Sequence, residues 1–269
     1  MSPPDRQARR RTGPAPLLLA LPLLLLLAIP VVGLAFRITP DLFIAELQNP
    51  ETLSAIVLSL VTTTVALVVT IIAGTPLAFW LSRSHSRLAG IAETLTDLPT
   101  VLPPSVAGVA LLLTFGRSGL IGGWLESMGL GVAFTPAAVV LAQVFVASPY
   151  YVRAARAGFA SVSSDTQEAA TIDGASSWGV LRFVLLPQAA PSLWAGAVMC
   201  WGRAVGEFGA TILFAGNLPG RTQTMPLAVY LGFESGLDRA LVLSSVLLGL
   251  ALVILLVVRL NRWRLPEVR

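Results

Sequence analysis

The sequence predicts an all-α membrane protein with about six spanning helices, and two observations carry that prediction. Of its 269 residues 55% are apolar and only 12% charged, where an average globular domain has roughly 25% charged residues. The deficit is concentrated in six windows free of Asp, Glu, Lys, Arg and His, at residues 17–36, 53–82, 98–116, 127–152, 183–202 and 240–258. A hydrocarbon core about 30 Å thick needs roughly 20 helical residues, and only helices or closed barrels satisfy the backbone in lipid. The windows show no period-2 alternation, so they are read as helices.

Taken in order, a cytoplasmic tail at 1–16 precedes a first spanning helix at 17–36. Arg9, Arg10 and Arg11 before a leucine run resemble a signal peptide, but the apolar run is longer than a signal core and no convincing small-x-small cleavage pattern follows. The external segment 37–52, with Pro40, Asp41, Glu46, Asn49 and Pro50, suits a short surface helix closed by a turn. One domain then fills 53–260, and 261–269 form a second cytoplasmic tail. The third window carries Pro99, Pro103 and Pro104, which cannot all sit inside a regular helix; the expectation is a break at its cytoplasmic end or a kink. Residues 117–135 are glycine-rich, with an amphipathic stretch near 121–130 that fits a short outer helix.

All 18 basic residues are arginine. With the amino terminus inside, 13 lie in cytoplasmic segments, four outside (Arg37, Arg117, Arg221, Arg239) and Arg203 within a span, as the positive-inside rule demands. These arginines flank spans, so the basic balance does not argue for nucleic acid. Cys200 is the one cysteine and His85 the one histidine; there is no metal-ligand spacing and no catalytic triad. An embedded enzyme would need a cluster of His, Asp or Glu within the spans, and only Arg203 and Glu207 lie near one.

The longest loop, 153–187, is cytoplasmic in this topology. Asp165 can cap a helix with Glu168 at its third position completing a capping box, and Gly174 suits the left-handed end. Ser176 or Ser177 can cap a second helix that places Trp178, Leu181, Val184 and Leu185 on one face, before Pro187 breaks it. Such a hairpin is a knob for a soluble partner; the same residues equally fit a helix lying on lipid.

The run Glu168-Ala169-Ala170, Gly174 and Val184-x-Leu186-Pro187 closely resembles the EAA motif of permease subunits in type I ABC importers, with Val184 where isoleucine is common. The resemblance implies the type I importer permease fold, with coupling helices that dock on an ATPase subunit. It implies contact positions at Glu168, Ala169, Ala170, Asp173, Gly174, Ala175, Leu186 and Pro187.

Arg203 and Glu207, four residues apart, can pair on one helix face, and Gly202 with Gly206 forms a small-xxx-small pattern. Ionisable groups inside spans are costly and usually face a bundle interior or a water path. Two readings stay open: a structural ion pair, or a span beside the translocation path in which Arg203, Glu207, Gly209 and Thr211 take part. The stretch from Arg203 to Thr211, continued by Gly216-Asn217-Leu218-Pro219-Gly220-Arg221-Thr222-Gln223-Thr224, is similar to the molybdate permease family; sulfate and thiosulfate permeases share the Gly-Glu-Phe-Gly core but resemble the later stretch less. Arg221, Thr222 and Thr224 can meet a tetrahedral oxyanion or form a solvated loop, and tungstate is a close chemical mimic of molybdate.

No Gly-x4-Gly-Lys-Ser/Thr phosphate loop occurs, and no lysine exists to complete one, so ATP hydrolysis belongs to another subunit. The resemblance implies a homodimer in the bacterial inner membrane with two ATP-binding subunits and a periplasmic oxyanion-binding protein, and no cofactor or metal on this chain. A secondary transporter driven by an ion gradient would favour inverted repeats, and the sequence shows none.

Overall fold

The computed structural model describes residues 15–263; the tail arginines at positions 6, 9, 10, 11, 264 and 269 lie outside them. Among the described residues every regular element is helical. α1 (Ala15–Phe36) runs through Pro22 and Pro30 and leaves its leucines from Leu18 to Leu27 exposed. Thr39 caps α2 (Pro40–Leu47) and Asn49 caps α3 (Pro50–Arg83). In each, proline takes the first helical position, where its missing N–H has no partner to lose.

α3 has 34 residues and is roughly 50 Å long, more than a bilayer core needs. Its buried face steps by threes and fours through Thr52, Ala55, Ser59, Thr62, Ala66, Thr70, Gly74 and Ala78. Small side chains let backbones approach where lipid offers no hydrophobic drive between helices. A Cβ on Gly74 would already stand 3.1 Å from Tyr151 and Val152, both on α7 (Pro136–Ala160). The two helices also share hydrogen bonds, from Gln143 Nε2 to Thr63 Oγ1 at 3.2 Å and between Thr75 Oγ1 and the Tyr151 hydroxyl at 2.6 Å.

The third window is not a single span. α4 (Arg87–Val101) passes unbroken through Pro99, and α5 (Pro104–Phe115) follows at a bend of 119°. Leu102 and Pro103 are extended, with ψ 134° and 135°: a residue before proline is pushed out of the helical region, and two prolines in succession repeat the push. α5, with 12 residues, is about 18 Å long and cannot cross alone. Among the described residues five helices are long and apolar enough to span, or six if the bent pair is counted as one span.

The fourth window is displaced. Residues 116–135 form a hairpin around α6 (Gly122–Ser127), and α7 starts only at Pro136 and runs on to Ala160. Arg153 and Arg156, expected in a loop, are therefore helical. The chain ends with α8 (Ser164–Ile172), α9 (Ser177–Val180), a π turn at Leu181–Leu185, α10 (Leu186–Val205), α11 (Gly209–Phe214), α12 (Met225–Ser235) and α13 (Leu237–Trp263). Glycine again sets the closest approach of α7 to α10: a Cβ on Gly196 would stand 2.7 Å from Ala154, and one on Gly158 2.6 Å from Ser192.

Candidate functional site: a coupling hairpin joined to a helix break

The hairpin begins at Ser163, two residues before the expected cap. Its Oγ accepts the Thr166 N–H at 3.4 Å and shares a 2.7 Å hydrogen bond with Thr166 Oγ1. Thr166 thus fills the capping-box position, leaving Asp165 in the first turn, where a carboxylate meets the positive helix end. Glu168 points into solvent. At the far end Ala175 N donates to Ala170 O and Asp173 N to Ala169 O, both at 3.0 Å, and Gly174 adopts φ +88°, the left-handed reversal expected of it. Ser176 caps α9, accepting the Gly179 N–H at 3.2 Å.

Pro187 does not break the second helix. Ser177–Val205 runs as one 29-residue unit, because the N–H of Leu186 reaches back five residues to Leu181 O and the widened turn accommodates a proline that has no N–H to give. The extra residue also shifts the register. Leu185 is buried and Leu181 and Val184 pack inward, but Trp178 is 64% exposed and not on their face. Of the expected contact positions, Glu168, Ala169, Asp173, Gly174 and Pro187 lie on the surface, while Ala170, Ala175 and Leu186 pack against the core. Ile172 (85%) and Phe183 (74%) are exposed as well.

α10 ends where Arg203 meets Glu207. Arg203 Nη2 is 2.8 Å from Glu207 Oε2, and Glu207 is 1% exposed. Its second oxygen accepts the Ala210 N–H at 2.8 Å, so one carboxylate closes the end of α10 and the start of α11 together. The helix stops at Val205, and the pair straddles the break. A Cβ on Gly209 would lie 2.6 Å from Pro104 Cβ, and one on Gly108 2.9 Å from Ala210 O. The start of α11, just past the interruption at 206–208, is thus packed against the start of α5, just past the interruption at 102–103. Thr211 is fully buried, and its hydroxyl has no partner among the described residues. Only half of the small-xxx-small pattern is used for close packing: a Cβ on Gly202 would stand 3.1 Å from Ile254 of α13, while one on Gly206 would touch no neighbouring helix within 4 Å.

The 216–224 stretch is a folded turn, exposed from Leu218 to Arg221 and buried from Thr222 to Thr224. Leu218 O accepts the N–H groups of Arg221, Thr222 and Gln223, and Thr222 Oγ1 accepts the Leu218 N–H at 3.1 Å. Gly216 and Gly220 supply left-handed turns. Thr222, Gln223 and Thr224 are buried, while Arg221 is exposed, so the arginine and hydroxyls do not converge.

Sequence reasoning missed the ties between α4 and α7. Arg153 Nε stands 2.5 Å from Asp97 Oδ1, Arg156 pairs with Glu93, and the four line a cavity of about 320 Å³. Glu93 and Asp97 one turn apart and Arg153 and Arg156 nearly so are complementary, a signal that has meaning only once these helices are known to be neighbours. The pair Arg239–Glu51, at 2.7 Å, joins residues too distant in sequence to suggest it.

The fold and the hairpin define the membrane-spanning subunit of a type I ABC importer. Residues 71–269 match the model of the family of binding-protein-dependent transport system inner membrane components, and the chain belongs to that family. It is 40% identical over 229 residues to the molybdenum transport system permease protein ModB of Mycobacterium tuberculosis, covering 85% of this chain and 87% of that one. It is 37% identical over 250 residues to the probable transport system permease protein NifC of Clostridium pasteurianum, covering 92% and 87%. Among solved structures it resembles a chain of a bacterial ABC transporter involved in the import of the acidic polysaccharide alginate, with TM-score 0.73, 18% identity and coverage of 93% and 94%.

Proposed function

We propose that this chain is the permease of an ATP-driven molybdate importer in the bacterial inner membrane, with both termini cytoplasmic. It works as a homodimer with two ATP-binding subunits and a periplasmic oxyanion-binding protein, and needs no cofactor of its own. The observation that carries the reading is the continuity of Ser177–Val205: the exposed hairpin and the Arg203–Glu207 break are two ends of one helix. The molybdenum permeases among the relatives support the cargo.

In this account the ATPase grips the surface positions Glu168, Ala169, Asp173, Gly174 and Pro187, while Ala170, Ala175 and Leu186 seat the hairpin against the core. Displacement passes along the rod to Glu207. Because Glu207 holds the Ala210 N–H, α11 moves with it, and the Gly209–Pro104 contact carries the movement to α5. Arg203, Glu207, Gly209 and Thr211 border the path. Glu207 offsets the charge of Arg203, so a passing anion is attracted without being trapped.

The test is uptake of labelled molybdate into proteoliposomes bearing the whole complex. Uptake that requires ATP, is inhibited by tungstate and is indifferent to sulfate is expected. Inhibition by sulfate alone would move the chain to the sulfate group, uptake driven by an ion gradient without ATP would overturn the motor, and a purified complex with one permease copy would contradict the homodimer.

A further inference from the structure

The hairpin at 116–135 joins α5 to α7 at the end of α7 remote from the coupling hairpin. Its turn is tightly fastened: Leu120 N donates to Leu113 O and Ile121 N to Thr114 O, both at 3.0 Å. A Cβ on Gly122 would lie 1.8 Å from Gly116 O, so only glycine fits. This fastened turn presents apolar side chains outward, with Leu120 89% exposed, Trp124 65% and Met128 56%. At helical spacing Ile121, Trp124, Leu125 and Met128 fall within an arc of about 100° on α6, and Glu126 and Ser127 fall outside it. The two charges of the hairpin, Arg117 and Glu126, pair with each other at 3.4 Å.

An exposed apolar patch of this kind marks an interaction surface. We propose that the hairpin is seated in the outer-leaflet interface, with Leu120, Trp124 and Met128 inserted at the boundary of headgroups and acyl chains. The patch continues the exposed apolar surface of α5, where Val109 and Leu113 are uncovered. Tryptophan favours the membrane–water interface, and an amphipathic helix lies in that plane by burying its apolar face. A soluble protein that docks and departs would be met by a polar rim and by charge that steers encounter; here the hairpin's charges cancel. Lipid seating gives α5, too short to cross alone, a fixed outer end, while Gly209 holds its other end at Pro104.

That the leaflet is the outer one rests on the proposed cytoplasmic place of the coupling hairpin. The experiment uses the full complex in proteoliposomes of phosphatidylethanolamine and phosphatidylglycerol, with single nitroxide labels at L120C, W124C and M128C and reference labels at S118C and S127C. The native Cys200 is buried and is left in place. Collisions with oxygen are expected to exceed those with a nickel chelate several-fold at the three apolar positions, with the reverse at the serines, and added binding protein should change neither. Chelate reaching all five positions equally would overturn the proposal, as would apolar positions that are shielded only once the binding protein is added. The side from which chelate reaches the serines reports the leaflet separately, so an inverted orientation is distinguishable from absence of insertion.

Discussion

Glu207 holds Arg203 with one carboxylate oxygen and the Ala210 N–H with the other, each at 2.8 Å. A helix that stops at Val205 is thereby tied to one that starts at Gly209. The carboxylate sits where the positive end of α11 and a guanidinium both stabilise it, which explains how an anionic side chain can be almost wholly buried.

The two ways of losing Glu207 should therefore separate. Glu207→Gln keeps an acceptor for Ala210 and the shape of the turn, so the complex should assemble in near-native yield while transport falls. Glu207→Ala leaves Arg203 without its counter-charge and the α11 end uncapped, a loss of about 3–5 kcal/mol for a broken buried pair, and should reduce the yield of assembled complex on size-exclusion chromatography. A Gln variant that also fails to assemble would make the pair structural only.

Gly174 at φ +88° has no atom within 4 Å of a built Cβ, so Gly174→Ala tests backbone strain without a clash. Roughly 1–2 kcal/mol of left-handed strain is expected, enough to speed amide exchange across α8 and to lower ATP-coupled uptake, with the spanning helices unaffected.

The close approach of α5 and α11 predicts an asymmetry among glycines. Gly108→Ala drives a methyl into Ala210 O and Leu213 and should cost about 1–3 kcal/mol in thermal stability as α5 and α11 are forced apart. Gly90→Ala, in α4 with nothing near, should be neutral or stabilise by up to about 1 kcal/mol.

The ties between α4 and α7 are partly exposed, so neutralising Asp97 alone should change stability little. Reversal is a stronger test: Asp97→Arg places like charges together and should slow uptake several-fold, and the Asp97→Arg, Arg153→Asp double variant should recover most of the loss. No recovery would mean that the pair does not hold α4 in the working transporter.

The spans and the coupling hairpin were legible in the sequence because lipid burial leaves long charge-free windows and because Gly174 and Ser176 punctuate helices by local chemistry. The bend at Leu102–Pro103 was legible as an interruption but not as a 119° turn, since hydropathy carries no direction. Trp178 was misassigned because the π turn at Leu181–Leu185 adds a residue that no fixed 3.6-residue period anticipates. The cap at Ser163 was missed because several side chains there compete for the same N–H groups. At the candidate path, the spacing of Arg203 and Glu207 foretold their pairing, but the packing of Gly209 on Pro104 joins positions about a hundred residues apart in the chain, and no local pattern announces it.

The central claim, that an ATP-hydrolysing partner grips the hairpin from inside the cell, is tested most directly by labelling Ile172→Cys, at the exposed end of α8, with a membrane-impermeant thiol reagent. The account predicts modification in inverted vesicles lacking the ATPase subunits, none in right-side-out vesicles, and protection once those subunits are added. Modification from the outer side, or equal modification with and without the ATPase, would contradict it.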